Sequence, residues 1–496
     1  MQLSKLLTDF CLLTPSEDVE IDGLSLDSRL VKSGDLFFAL QGTHQDGRKF
    51  IEAAIQEGAI AILAEADHAK VERQNGLPIV FIPNLRAKTA EIAARFYHYP
   101  AKKMRMVGVT GTSGKTSCTQ FMASSLQQLS IPCGVVGTLG TGLYGDIQEG
   151  TLTTPDAITL QTTFANFLIQ GAKTTVMEVS SHSLDQGRVN GIEFEIGVFT
   201  NLSRDHLDYH GTMDAYGAAK KQLFSQAKFA VINADDAFGR ELLSAFSTRK
   251  NVFSYQITHQ DSALACDQDS LIYADQVRID SLGTHARINT PWGTGELHSL
   301  LVGQFNLSNL LAVLTTLCLL DIPFSDALKT LAAVDPVPGR MQSVGGGSLP
   351  LVVVDYAHKP DALEKVLIAL RQQCQGKLYC VFGCGGDRDR GKRPMMAKIA
   401  EQYADHVIVT DDNPRHEDAA QITADILQGF SERANVIVQH DRSKAIRDVM
   451  QSAAPGDCVL IAGKGAETYQ QIGDQKIPFN DLVKVNESIN HRRGKC

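Results

Sequence analysis

Residues 111–116, Gly-Thr-Ser-Gly-Lys-Thr, carry the sharpest chemistry in this chain. Backbone N–H groups of such a loop cradle phosphate, Lys115 neutralises the β and γ oxygens, and the Thr116 hydroxyl can hold Mg2+. The surroundings suit the motif. An apolar strand over 104–109 precedes it, and a helix follows whose Cys118, Phe121, Met122, Leu126 and Leu129 share one face. Val109 stands where the pattern GxxxxGK[ST] has its first glycine, so the loop is a variant. A glycine-rich turn that binds nothing is the alternative.

Three further positions have chemical potential. Glu178 ends an apolar run, 174–179, where a carboxylate beside a phosphate loop can hold Mg2+ or polarise an attacking group; a solvated strand-end glutamate is the plain alternative. A strand over 196–200 leads into Asn201-Leu-Ser-Arg-Asp205-His206-Leu-Asp208-Tyr-His210, a cluster that can ligate metal or merely cap helices. On the helix expected near 214–225, Tyr216, Ala219, Leu223 and Phe224 form a stripe that contains Lys220, while Lys221 points away. A lysine there either snorkels from the stripe edge or is desolvated, and a neutral amine can react with CO2.

The elements that must position these groups follow from patterning. A chain of 496 residues exceeds what one hydrophobic core supports, and 43% hydrophobic with 21% charged residues is a globular composition. A net charge of -9 argues against nucleic-acid binding by bulk electrostatics. Ten cysteines without a CxxC pair signal neither a zinc ribbon nor a disulfide framework, and reduced thiols are expected. The N-terminal stretch is too short and too acidic for a signal peptide, and no apolar run reaches the ~20 residues of a membrane span. A cytoplasmic, monomeric chain is expected.

Apolar runs at 35–40, 59–63 and 78–82 alternate with helical stretches at 50–57 and 88–97, which predicts a small α/β domain. A linker is expected at 97–103, where Pro100 stops the helix, and a second seam at 334–340. Beyond it, runs at 351–354, 378–382, 406–410 and 458–462 predict a parallel sheet with ligands at its carboxyl ends. The expected fold is α/β in three domains: 1–98, a P-loop sheet domain over 99–335, and a Rossmann-like domain over 336–496.

In order along the chain, Gly111–Thr116, Met177-Glu-Val-Ser-Ser-His182, Asn201–His206, Gly303-Gln-Phe-Asn-Leu-Ser-Asn309, Asp355-Tyr-Ala-His358 and Gly463-Lys-Gly-Ala-Glu467 resemble the Mur ligases of peptidoglycan synthesis. Asp27-Ser-Arg29, Gly34–Ala39 and above all Asp412-Asn-Pro-Arg415 resemble the MurE type, which adds meso-diaminopimelate. The resemblance covers nearly the whole chain. It implies ATP and Mg2+, a nucleotide-linked muramoyl dipeptide as substrate, and phosphorylation of a D-glutamate γ-carboxylate. An amine then attacks the acyl phosphate, in the cytoplasmic branch of cell-wall synthesis.

The resemblance also assigns residues. Gly111, Thr112, Ser113, Gly114, Lys115, Thr116, Ser117, Asn306, Asn309, Arg340 and Asp355 match ATP positions. Thr116, Glu178 and His206 match Mg2+ ligands, and Lys220 the family's carbamylated lysine (N6-carboxylysine), an anion that holds a second Mg2+. Lys115, Glu178, His206 and Lys220 form the catalytic set. Leu26, Ser28, His44 and Gln45 match uridine diphosphate contacts, and Thr153, Thr154, Ser180, Gln186 and Arg188 those along the muramoyl dipeptide. Arg388, Asp412, Asn413, Pro414, Arg415, Gly463 and Glu467 match the diaminopimelate site, where a guanidinium reads the distal carboxylate that lysine lacks.

Three positions depart from the pattern: Ser113 for asparagine, Leu152 for asparagine, and a His44–Arg48 stretch one residue short. The rival readings are a lysine-adding MurE-type ligase, a folylpolyglutamate synthase, and a nucleotide-gated switch without amide chemistry.

Overall fold

The computed structural model describes residues 1–42, 45–150, 152–257, 268–280 and 283–493. Its contacts divide the chain into two units: Met1–Thr110, Ser130–Gly197 and Ala219–Ala230 form the first; Gly111–Leu129, Val198–Ala218 and Val231–Cys496 the second.

The first unit opens with a five-stranded sheet in the order Gly23–Ser25, Asp35–Ala39, Ala61–Glu65, Leu77–Ile82, Lys70–Gln74, parallel except for the last strand. Period-two alternation explains its two cores. Leu36 and Phe38 face Leu3, Leu63 and Ile92, while Phe37 and Ala39 face Ala54 and Ile62. The polar edge strand Lys70–Gln74 has no apolar run and is held by the Asn75-Gly76 turn, both residues at positive φ.

The segment expected as a linker folds as a 3-10 helix, Pro100–Lys103, with Pro100 and Ala101 buried. His98 and Tyr99 take left-handed backbone to end the preceding helix, Leu85–Phe96. Next comes a parallel trio with Thr174–Glu178 between Arg105–Thr110 and Cys133–Gly137. The helix Ala157–Ile169 covers it with Leu160, Phe164 and Phe167, packed on Met106, Val136 and Met177.

In the second unit the phosphate-loop helix, Lys115–Gln128, and Gln304–Leu319 supply buried apolar faces. Strands Val252–Ile257, Leu271–Asp280, Gly283–Thr290 and Gly293–Ser299 follow one another in the sheet, the first pair parallel and the rest antiparallel. The helix expected over 214–225 is α-helical only over Met213–Lys221. Its last turn tightens into a 3-10 helix, Gln222–Ser225, where the Ser225 hydroxyl donates to the Gln222 carbonyl at 2.7 Å.

The last sheet has six strands in the order Gln342–Gly345, Leu351–Asp355, Cys458–Ala462, Leu378–Phe382, His406–Val409, Val436–Val438, parallel apart from the first. Helices cover both faces, so its central strands are buried apart from Leu351 at the start of one of them. Their carboxyl ends open at one edge, and every loop there carries charge. No helix among the described residues is long and apolar enough to cross a membrane.

That edge is braced from below. Arg442 and Asp481, both fully buried, pair through two hydrogen bonds of 2.7 Å, and Arg442 Nη2 donates to the Ala462 carbonyl at 2.9 Å. Arg442→Met leaves Asp481 as a lone buried charge and is expected to cost about 3–5 kcal/mol. Denaturant unfolding followed by a probe in the last sheet checks this; a shift under 1 kcal/mol contradicts it.

Candidate active site

In the first unit Glu178 closes its strand at 1% exposure. Its Oε1 accepts from the Thr138 N–H at 2.8 Å and its Oε2 from the Thr138 hydroxyl at 3.1 Å; that hydroxyl lies 3.1 Å from the Thr153 hydroxyl. A Cβ at Gly137 would stand 2.5 Å from Glu178 Oε1, so only glycine lets the strand end pass the carboxylate. Thr154 Oγ1 donates to the Glu178 carbonyl at 2.7 Å and accepts from the Ser180 N–H at 3.1 Å. Ser180 caps the helix Ser181–Asp185. Arg188 donates to the Thr154 carbonyl at 2.7 Å and through two nitrogens to Gln186 Oε1. Glu178, Thr153, Thr154, Ser180, Gln186 and Arg188, widely spread in sequence, thus lie in one hydrogen-bonded group.

Lys220 is 1% exposed, and Tyr216, Ala219, Leu223 and Phe224 of its stripe are as deeply buried, while Lys221 is exposed. Stem and head of Lys220 are both out of water, which is not the geometry of snorkelling.

Elsewhere in this unit, Ser28 begins the 3-10 helix Ser28–Leu30, capped by Asp27, and Asp46 caps Gly47–Phe50 in the same way. Each cap also takes a forked ion pair from the arginine two residues on, Arg29 and Arg48. Leu26 packs on the sheet core, and the Gln45 carbonyl accepts from the Gly42 N–H at 2.8 Å. His44 lies outside the described residues.

In the second unit the phosphate loop is pinned by the segment after Phe199. The Thr112 N–H donates to the Asn201 carbonyl, the Ser113 N–H to Asn201 Oδ1, and the hydroxyl of Thr200 to the Ser113 carbonyl at 2.6 Å. Gly111 has φ +144°, and a Cβ there would fall 1.9 Å from Thr200 Oγ1; at Gly114, φ +86°, one would meet Asn309 Oδ1 at 2.6 Å. Lys115 Nζ donates to the carbonyls of Gly111 and Thr112 at 2.7 and 3.1 Å.

Thr116 is buried, with Arg340 Nη2 3.3 Å from its hydroxyl, and Ser117 is buried next to it. The Arg340 guanidinium lies 4.3 Å over the Tyr356 ring. Asp355 spends its two oxygens on the N–H groups of Met341 and Ala357, each at 2.7 Å, fixing the turn that carries Arg340. Burial still holds its carboxyl above the ordinary value. Asn306 donates to the Val302 carbonyl at 2.8 Å.

Lys359, not singled out in the sequence although it follows Asp355-Tyr-Ala-His358, ties these parts together. It is 7% exposed, donates to the Thr112 carbonyl at 3.1 Å and pairs with Asp205 Oδ2 at 2.7 Å. His206 Nε2 lies 3.0 Å from the same oxygen. Burial would raise the Asp205 carboxyl, but Lys359 and His206 hold it well below the ordinary range. Partial burial of the His206 ring outweighs Asp205 and lowers its value, favouring the neutral imidazole that ligates metal.

The amino-acid candidates converge at the carboxyl edge of the last sheet, in the same unit. Asn413 Nδ2 donates to Glu467 Oε2 at 2.9 Å, and the Asn413 N–H to Asp412 Oδ1 at 2.7 Å. Arg415 takes left-handed backbone, φ +54°, its N–H and C=O paired with the strand Tyr469–Ile472 and its turn. That places Nη1 2.9 Å from the Gly386 carbonyl, where a Cβ at Gly385 would stand 2.7 Å from it. The Pro414 carbonyl would lie 1.8 Å from a Cβ at Gly386, and Asp412 Oδ2 2.6 Å from one at Gly463. Arg388 is exposed on the neighbouring loop, and Asp389 of that loop pairs with Arg204 at 3.2 Å. Lys464, whose role no sequence pattern marks, is fully buried beside them.

Among the described residues no three His, Cys, Asp or Glu side chains group as a metal site. Oxygen donors of the kind Mg2+ takes are present in each unit by itself: the Glu178 carboxylate is buried in the first and the Thr116 hydroxyl in the second.

A phosphate loop and an edge of carboxylates and guanidinium groups within one unit are the equipment of an ATP-using acid–amino-acid ligase. The chain belongs to the Mur ligase family: the model of the family's catalytic domain matches residues 20–97, that of the Mur ligase middle domain 109–317, and that of the glutamate ligase domain 339–465. Relatives named UDP-N-acetylmuramoyl-L-alanyl-D-glutamate--2,6-diaminopimelate ligase occur in Coxiella burnetii and Pseudomonas aeruginosa. Each is 48% identical over 474 residues, covering 95% of this chain and 96% of its own. A solved structure of that name is 36% identical, with TM-score 0.67 and 95% of both chains covered. The MurF ligase of Thermotoga maritima, solved with ADP, shares the fold at 18% identity, with TM-score 0.63 over 97% of this chain and 100% of its own.

Gly111→Ala forces a side chain into Thr200 at a positive φ, and ADP affinity is expected to fall at least about tenfold; calorimetric titration checks this. Asp205 titrates below its unfolded value, so its ionisation stabilises the fold above about pH 4 and that contribution is lost as pH falls. In Lys359→Met burial acts on Asp205 with its main cation gone, and the carboxyl titrates higher. Acid loss of ADP binding is then expected to begin at higher pH than in the parent; superimposable pH profiles contradict this.

Proposed function

We infer that the chain joins meso-diaminopimelate to UDP-N-acetylmuramoyl-L-alanyl-D-glutamate at the expense of ATP, making a peptidoglycan precursor. The placement of Arg415 carries the reading. Its backbone is locked by the strand beside it and its guanidinium by the Gly386 carbonyl, among acceptors suited to an ammonium group. A fixed guanidinium takes a carboxylate through two parallel hydrogen bonds, and the distal carboxylate is what separates diaminopimelate from lysine.

The division of labour is as follows. Residues 1–98 take the uridine end of the substrate through Leu26, Ser28, His44 and Gln45. Residues 99–335 bind ATP, and 336–496 bring the amino acid. Lys115 and the N–H groups of Gly111–Ser117 hold the β and γ phosphates, Arg340 approaches from Thr116, and Asn306, Asn309 and Asp355 shape the nucleoside end. Thr153, Thr154, Ser180, Gln186 and Arg188 orient the muramoyl dipeptide so that its γ-carboxylate attacks the terminal phosphorus, which breaks that phosphorus's bond to the β-phosphate oxygen and releases ADP. Arg388, Asp412, Asn413, Pro414, Arg415, Gly463 and Glu467 hold diaminopimelate so that its amine attacks the acyl phosphate, releasing phosphate and leaving an amide.

Thr116, Glu178, His206 and Lys220 as a carbamate are the residues for Mg2+, which when bound neutralises charge on the phosphates. Carbamylation explains why Lys220 is buried: it becomes an anion that meets a cation. A cytoplasmic monomer acting on small molecules completes the reading.

Phosphate release with meso-diaminopimelate, with L-lysine and with neither tests it. Release is expected to depend on diaminopimelate; equal release with lysine overturns the specificity, and none with either overturns the activity. Arg415→Ala is expected to raise the KM for diaminopimelate at least about tenfold, with the KM for ATP within about twofold.

A further inference from the structure

The side chains around Glu467 share a buried cation whose hydrogen bonds go to Asn413 and Glu467. Lys464 is fully buried, and its Nζ donates to Asn413 Oδ1 at 2.9 Å and to Glu467 Oε2 at 2.7 Å. Asn413 Oδ1 also accepts from the Gln471 N–H at 2.9 Å. An ammonium and a backbone N–H can only donate, so the atom they both meet must be the carboxamide oxygen. The orientation of Asn413 is therefore dictated by its neighbours. Its oxygen is saturated, and its nitrogen is turned to Glu467 Oε2 at 2.9 Å.

The same arithmetic applies to Glu467. Oε2 receives two donors, while Oε1 accepts no hydrogen bond from a described residue. At Asp412, Oδ1 accepts from the Asn413 N–H, and Oδ2, beside Gly463, accepts none from a described residue. What the loop can offer a ligand is thus one carboxylate oxygen from each acid and one remaining Asn413 N–H. Two anions gathered at one edge repel each other, and the Lys464 ammonium offsets one of them without entering solvent.

We propose that Lys464 is the positioning residue of the amino-acid site: it helps fix Asn413 with its nitrogen on Glu467 and one N–H left over, and Glu467 with a single open oxygen, so that an ammonium meets Glu467 and Asp412 and a carboxylate meets the remaining Asn413 N–H. The proposal deepens the reading of the site given above and rests on it. Lys464 makes no contact with substrate itself. Methionine in its place leaves Asn413 Oδ1 held by the Gln471 N–H alone and Glu467 Oε2 with one donor fewer, so both side chains lose part of what fixes them. Glutamine can replace one hydrogen bond without the charge.

The test measures KM and kcat for meso-diaminopimelate, and KM for ATP, in the full-length Lys464→Met, Lys464→Gln and Arg415→Ala variants, with ADP binding by calorimetry as the check on folding. Lys464→Met is expected to raise the KM for diaminopimelate at least about tenfold, with Lys464→Gln in between, kcat lowered less than KM is raised, and ADP affinity within about twofold. Two results overturn the proposal: a KM for diaminopimelate within twofold of the parent in both Lys464 variants while Arg415→Ala raises it, or a loss shared equally by ATP and diaminopimelate. If neither Lys464→Met nor Arg415→Ala moves the KM for diaminopimelate, the site is misassigned altogether. Where Lys464→Met does not fold, Lys464→Gln decides.

Discussion

A charge taken out of water must find an opposite charge or a full set of hydrogen bonds, and that demand organises the second unit. At the carboxyl ends of its strands the chain buries one cation after another. Arg442 answers to Asp481, Arg393 to Glu417 and Asp425, Lys464 to Glu467, and Lys359 to Asp205. Remove Arg442 and Asp481 is stranded in a low-dielectric setting, whereas Glu417 would keep Arg390 and Asp205 would keep His206. These pairs do little for net stability compared with apolar packing. What they supply is fixed direction for side chains that would otherwise wander.

The pairs are also connected. Glu417 takes the Asp387 N–H at 2.6 Å as well as Arg393 and Arg390, so one carboxylate gathers several points of the loop after Leu378–Phe382. Lys359 reaches from the loop after Leu351–Asp355 to the carbonyl of Thr112, and Asp389 reaches Arg204, the neighbour of Asp205. The loop over Gly111–Thr116 and the loops at the carboxyl edge of the last sheet thereby share supports within one unit. A mechanism that must bring a phosphorylated carboxylate to an amine has good use for such shared supports, because small misplacements of reacting groups are costly.

Much of this could be read from the sequence, for physical reasons. The central strands of the last sheet are covered on both faces and so appear as unbroken apolar runs, whereas its edges, Gln342–Gly345 and Val436–Val438, are half exposed and give no such run. Lys70–Gln74 carries no hydrophobic signal at all; its Asn-Gly turn was the available cue. The strands from Leu271 to Ser299 alternate in burial and were equally silent to a search for apolar runs. The phosphate loop and the Lys220 stripe were legible because local periodicity defines them. Lys359 and Lys464 were not, since their roles come from partners up to 247 positions away in the chain.

Gly339 and Gly465 meet backbone to backbone: a Cβ on the first would stand 2.1 Å from the Ala466 nitrogen, and one on the second 2.8 Å from the Gly339 carbonyl. The turn that aims Arg340 at Thr116 and the loop that bears Lys464 and Glu467 are therefore moulded on each other. For protein engineering this sets the size of the transplantable piece. Borrowing the Gly463–Glu467 loop of a relative to change which amino acid is used succeeds only if the turn around residue 339 travels with it. The modules of this scaffold are matched surfaces, and their borders do not follow the borders of its motifs.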